Sequence, residues 1–287
     1  MTAGRFDRPA ARAAAYDTRR GVPLRAAARP GSGPSSAPPR RIPSARAAAD
    51  LESPRGVALG RDFKAVFFDL DGTLVDIHGP LFRAARNAVD RLGHGPPLTR
   101  QRYREALARD DLLLGLPDHL RPQFPQLLFT CFVTELDRTA RPEVLPHVLE
   151  TLAELKRRGY ATAVITSRPG DSGRLIRKLA RIGLADRLDQ VLTQPEASLL
   201  ALDKTASLKL AATDAALAPS ACMYVGDEPR DVMAAQGAGY GATVAVATGA
   251  ATFARLRDHP QHRPDHTLHS MGELIALIDR LQHEPGP

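Results

Sequence analysis

Carboxylates in this 287-residue chain sit at the ends of short apolar runs, where they could act together. The run KAVFF leads into Asp69, and Asp71 follows two residues later in FFDLDGTL. A second run, ATAVIT, ends in Thr166 and is followed by Ser167. A third, ACMYVG, leads into Asp227, with Asp231 one turn further along in YVGDEPRD. Three converging carboxylates repel one another severely unless a cation lies among them. Oxygen donors without nitrogen or sulfur suit a hard ion, magnesium first. The chemistry these residues could do together is metal-assisted.

The elements that must position them are legible as patterns. Each apolar run is four to six residues long and reads as a buried strand. Similar runs recur at Asp189–Thr193 and Ala242–Ala247. Helical patterns alternate with them. VLPHVLETLAELKRRG places Val144, Val148, Leu152 and Leu155 on one face and stops at Gly159, and SGRLIRKLARIG repeats the arrangement up to Gly183. Residues 204–217, 228–238 and 270–281 read as further helices. Strands alternating with helices predict an α/β fold, a doubly wound parallel sheet of the Rossmann-like kind. In such a sheet, ligands bind beyond the carboxyl ends of the strands, where the strand order reverses. The polar residues above are expected there.

One interval breaks the alternation. Between Val75 and Pro142 only helical patterns occur, such as PLFRAARNAVDRL and QRYREALARDDLLL. Loops in α/β units usually run about 2–6 residues, so this stretch is expected to be an inserted helical cap after the first strand. The expected organisation is a tail over residues 1–60, a catalytic core over 61–75 and 142–287, and the cap over 76–141.

The net charge of +7 and pI near 9.8 suggest a nucleic-acid partner until the charges are located. Residues 1–60 hold eleven arginines against Asp7, Asp17, Asp50 and Glu52, which accounts for the whole +7. The remaining residues carry 28 basic and 28 acidic side chains, so the body is neutral and no nucleic-acid partner is expected for it. The first segment is rich in Ala, Arg, Pro, Ser and Gly, lacks apolar periodicity, and is expected to be disordered. No run of about 18 apolar residues occurs, so no spanning helix and no membrane partner are expected. Cys131 and Cys222 lie in apolar runs and read as buried reduced thiols, which suits a reducing cytoplasm. The histidines of HPQHRPDHTLH read as solvated loop residues rather than a zinc site.

Taken in order, FDLDGTLVD, VITSRP, a lysine in between, and VGDEPRD resemble the four motifs of the haloacid dehalogenase-like superfamily. The phosphoglycolate phosphatase-like branch is the nearest in pattern, over residues 64–282. The resemblance implies a magnesium-dependent hydrolase of a small phosphorylated metabolite. Asp69 would be the nucleophile and form an aspartyl-phosphate. Asp71 would protonate the leaving alcohol and then activate water. Magnesium would be held by Asp69, by the backbone carbonyl of Asp71 and by Asp227. Asp231 would support those ligands, Gly72 would permit the turn, and Thr73 would brace it. Thr166 and Ser167 would contact the phosphate oxygens. Lys204 would offset their charge, in preference to Lys209, because it precedes the expected helix. Two departures stand out: LDKTASLK where the branch usually has Lys-Pro, and Ser167 where it commonly has Asn.

Two other readings share these residues. A phosphosugar mutase has the same four motifs but returns the phosphate to its substrate, and Ile77 and Leu81 stand where such mutases carry Thr and His. A silent binding protein on the same scaffold need not keep four acidic residues together. The second aspartate, Asp71, separates phosphate-ester chemistry from dehalogenation.

Overall fold

A computed structural model describes residues 62–93, 95–111, 113–194 and 203–283. The tail expected over residues 1–60 lies outside them. Six strands form one parallel sheet: β1 (Ala65–Phe68), β2 (Ala161–Pro169), β3 (Gln190–Gln194), β4 (Cys222–Gly226), β5 (Ala242–Val246) and β6 (His266–Leu268). Their order across the sheet is β3-β2-β1-β4-β5-β6. The chain winds outward in one direction from β1 to β3, then returns to the other side of β1 with β4. The strand order therefore reverses between β1 and β4, and a crevice at their carboxyl ends is the expected ligand site.

The first strand shows why the sheet is central. Its AVFF sequence is fully buried, which a parallel strand covered on both faces requires. Val66 and Phe68 face one apolar cluster, while Ala65 and Phe67 face the other. The first cluster is closed by α4 (Val148–Arg157), α5 (Ser172–Ala180) and α9 (Leu274–His283). The second is closed by α6 (Thr205–Asp214) and α7 (Pro229–Ala238). A short α8 (Phe253–Arg257) lies between β5 and β6.

Three details differ from the sequence reading. α4 begins at Val148 rather than Val144, because Val144 pairs with Val75 in an antiparallel bridge. β6 is only three residues long and carries no apolar run, so it reads as loop; Asp265 pins it by accepting from the Thr243 backbone N–H at 2.7 Å and from its hydroxyl at 2.8 Å. The closing segment opens with a 3-10 turn at Met271–Glu273, and α9 follows.

Between β1 and α4 the chain makes three helices, α1 (His78–Arg91), α2 (Arg100–Ala108) and α3 (Phe124–Arg138). They share an apolar cluster of their own that includes Leu81, Phe82, Tyr103, Phe124 and Cys131. α1 packs on α3, and Glu135 joins them by accepting from Arg83 at 2.7 Å. The two chain crossings lie side by side: Asp76 donates to the Glu143 carbonyl at 2.8 Å, and Leu145 donates to Leu74 at 3.0 Å. Cys131 and Cys222 are both free and buried. Among the described residues, no helix is long and apolar enough to cross a membrane.

Candidate functional site

The acidic residues meet at the reversal point. Asp69 follows β1 and donates its backbone N–H to the Val225 carbonyl at 2.9 Å, so β4 fixes its position. Asp227 follows β4, and Asp231 sits in the first turn of α7. All three are buried, and each offers an oxygen within 4.8 Å of the others. The chain turns sharply after Asp69. Gly72 adopts φ +89°, a left-handed conformation costly for any side chain, and its N–H donates to the Val75 carbonyl at 2.9 Å. Thr73 is fully buried and donates its hydroxyl to Asp227 at 3.2 Å.

Lys204 joins this group from 135 residues away in sequence. Its ammonium lies 2.5 Å from Asp69 and 2.8 Å from Asp231. Burial disfavours that charge, but Asp231 and Asp69 outweigh it and hold the lysine well above its usual pKa. Lys209 is exposed on α6 and is not among the residues lining the site. Thr166 is buried, and its hydroxyl accepts from the Arg168 backbone N–H at 3.1 Å. The Ser167 hydroxyl is buried with no partner among the described residues.

The carboxylates are under electrostatic stress. Burial pushes Asp69 up to about 7 against the pull of Lys204, and Asp231 and Asp71 add to the push. Burial, together with Glu228 and Asp69, drives Asp227 well above the carboxylate range. One Asp227 oxygen is buried without a hydrogen-bond partner. Such an oxygen costs free energy unless something positive faces it. The surroundings leave that face open. A Cβ at Gly249 would lie 1.7 Å from this oxygen, and one at Gly72 would lie 2.4 Å from it. A divalent cation fits this donor set, with Asp69 and Asp227 the available ligands. Asp231 already accepts from Lys204 and from the Glu228 backbone N–H at 3.1 Å, so both its oxygens are engaged. Gly249→Ala is expected to weaken divalent-cation binding at least tenfold, read by calorimetry. Unchanged affinity would remove Asp227 from any cation site.

Asp71 faces the same cavity with a different partner. Arg168 grips its two oxygens at 2.6 and 2.7 Å in a side-on, two-bond pair. Arg168 stands inside the VITSRP motif, yet its contact with Asp71 spans 97 residues and has no local signal. Arg230 and Glu228 also line the cavity and were not singled out by sequence. Thr248 and Gly249 were missed too, although they follow β5 at its carboxyl end, where the strand-end argument could have found them; Thr248 donates to the Gly72 carbonyl at 2.6 Å. The cavity encloses about 70 Å³, room for several waters. Its far wall comes from α3 and from Ile77 just before α1 and is wholly apolar: Ile77, Phe129, Phe132, Val133 and Leu136.

Fold and site together define an α/β enzyme with a strand-end acidic centre. A model of the haloacid dehalogenase-like hydrolase family matches residues 63–239. Over 231 residues the chain is 31% identical to N-acetylmuramic acid 6-phosphate phosphatase of Pseudomonas aeruginosa, covering 76% of this chain and 95% of that one. It is 28% identical over 235 residues to phosphoglycolate phosphatase 1 of the same organism, covering 76% and 80% of the two chains. A solved haloacid dehalogenase-like hydrolase from Streptococcus pneumoniae shares the fold with a TM-score of 0.56 at 20% identity, over 76% of this chain and 99% of that one. The chain belongs to the haloacid dehalogenase-like hydrolase family.

Proposed function

We propose that this enzyme hydrolyses a small phosphomonoester in two steps at Asp69, with magnesium as its metal. The observation that carries the reading is the buried Asp69–Lys204–Asp231 chain beside Asp227, with Asp71 two residues beyond Asp69. Asp69, Asp227 and the Asp71 backbone carbonyl would hold the metal, which would neutralise charge on the transferring phosphoryl group. In the first step an Asp69 oxygen attacks phosphorus, and the bond to the leaving alcohol breaks. Asp71 gives that alcohol its proton. In the second, Asp71 takes a proton from water, whose oxygen attacks phosphorus and breaks the bond to Asp69. Lys204 keeps Asp69 aligned and offsets charge on the phosphoryl oxygens. Thr166 and Ser167 lie in the second half of β2 and line the cavity where the phosphate would lie. Asp231 orients Lys204, Gly72 allows the turn, and Thr73 steadies Asp227. Arg168 is a positioning residue for Asp71.

The apolar wall favours hydrolysis over phosphate transfer between sugar positions. A mutase must hold a free bisphosphate while it turns over, which needs polar contacts from the insert. Ile77, Phe129, Phe132 and Val133 have none to offer. A small phosphometabolite panel, with and without magnesium, tests the reading. Inorganic phosphate is expected to match substrate consumed, and activity is expected to vanish on chelation. Conversion of glucose 1-phosphate to glucose 6-phosphate without free phosphate would replace hydrolysis by mutase chemistry.

A further inference from the structure

A second concave site lies outside the acidic cavity. It is a groove of about 370 Å³ between the carboxyl end of α3 and the exposed face of α5. Arg174, Arg177, Lys178 and Arg181 line it from the α5 side, and Arg138 lines it from α3. The four α5-side cations are spaced i, i+3, i+4 and i+7, so they share one face, opposite the buried Leu175 and Leu179. That arrangement places like charges at i, i+4 twice, Arg174 with Lys178 and Arg177 with Arg181. Such pairs destabilise a helix.

Asp137 is the one acidic residue lining the groove. It pairs with Arg174 at 2.9 Å and with Lys178 at 3.5 Å. Lys178 also donates to the Asp137 carbonyl at 2.8 Å. Arg177 and Arg181 are exposed and have no partner among the described residues. Burial, with the charges of Arg168 and Arg174, holds Lys178 below its usual pKa despite Asp137. The groove is thus under-neutralised, and its volume falls in the range of ligand sites.

We propose that this groove binds a small polyanion carrying two or more linked phosphate groups, at a site separate from the acidic centre. Arginine forks match phosphate oxygens in two-bond geometry, and two of them here are free to do so. From residue 174 to residue 181 the helix rises about 10 Å. That length suits a short oligophosphate and spans only about six of the charges that a DNA duplex spaces about 1.7 Å apart along its axis.

The test compares the full-length enzyme with Arg177→Gln/Arg181→Gln by calorimetry at fixed free magnesium. The probes are inorganic tripolyphosphate, adenosine triphosphate and a duplex oligonucleotide. Binding at the acidic centre is common to both proteins, so any difference between them belongs to the groove. Tripolyphosphate is expected to bind the parent at least tenfold more tightly than the double variant. Equal weakening of the nucleotide would make the phosphate chain the whole ligand, and a larger effect on the nucleotide would make a nucleotide the natural source. The variant should hydrolyse a generic aryl phosphate at the parental rate and melt no lower, since neither arginine makes a hydrogen bond or ion pair with another described residue. Tripolyphosphate affinity that is the same in both proteins would overturn the proposal. So would a groove effect confined to the duplex.

Discussion

Asp69→Asn is expected to abolish turnover, by on the order of 10³-fold or more, while the protein remains folded. The amide has the shape of the carboxylate but cannot attack phosphorus. It also removes one of the two available anionic ligands from the acidic cluster. Stability should survive because burial already pushes Asp69 up to about 7, so a neutral side chain is well tolerated there. Lys204 keeps its second partner, Asp231, at 2.8 Å. The measurement is release of inorganic phosphate from an aryl phosphate, alongside a melting curve. Activity within tenfold of the parent would remove Asp69 from the role of nucleophile.

Lys204→Met should damage both rate and stability, and the two losses have different causes. For the rate, the ammonium that lies against Asp69 is lost, and on the proposed mechanism this is worth about 10²–10³, as in comparable electrostatic sites. For stability, Asp69 and Asp231 are left buried without their shared cation. Breaking a buried ion pair on one side costs about 3–5 kcal/mol, and a domain of this size then melts roughly 10 °C lower. At the proposed site magnesium would bind more tightly once the lysine's competing charge is gone and would recover part of that loss, so the variant's melting temperature should depend on magnesium more than the parent's does. Lys209→Met is the control. That side chain is exposed, and its removal should change stability by no more than about 0.5 kcal/mol. If Lys209→Met lost activity and Lys204→Met kept it, the choice between the two lysines would be reversed.

The amino-acid sequence by itself determined most of the elements, β6 excepted, and one part of the site. Short apolar runs such as AVFF, bounded by polar residues, fit central strands of a covered sheet, because both their faces demand burial. FDLDGT carries its own geometry: the strand ends, Gly72 turns the chain, and Asp69 and Asp71 are left beyond the carboxyl end of a central strand. The spacing of Asp227 and Asp231 is equally local, one helical turn past β4. What only the tertiary structure decided are the encounters between distant segments. The place of Lys204 before α6 already favours it over Lys209 in the sequence, but only the approach of the α6 N-terminus to the end of β1 sets its ammonium against Asp69. The grip of Arg168 on Asp71 arises because β1 and β2 are neighbours, Phe68 beside Val164, which brings residues 97 apart within hydrogen-bond reach. The bare oxygen of Asp227 exists because β5 delivers Gly249 against it. The basic groove needs α3 to end beside α5. Hydrophobic periodicity is a property of one segment and survives in the sequence, whereas a charge pair between segments is set by sheet order and helix packing and leaves no local trace.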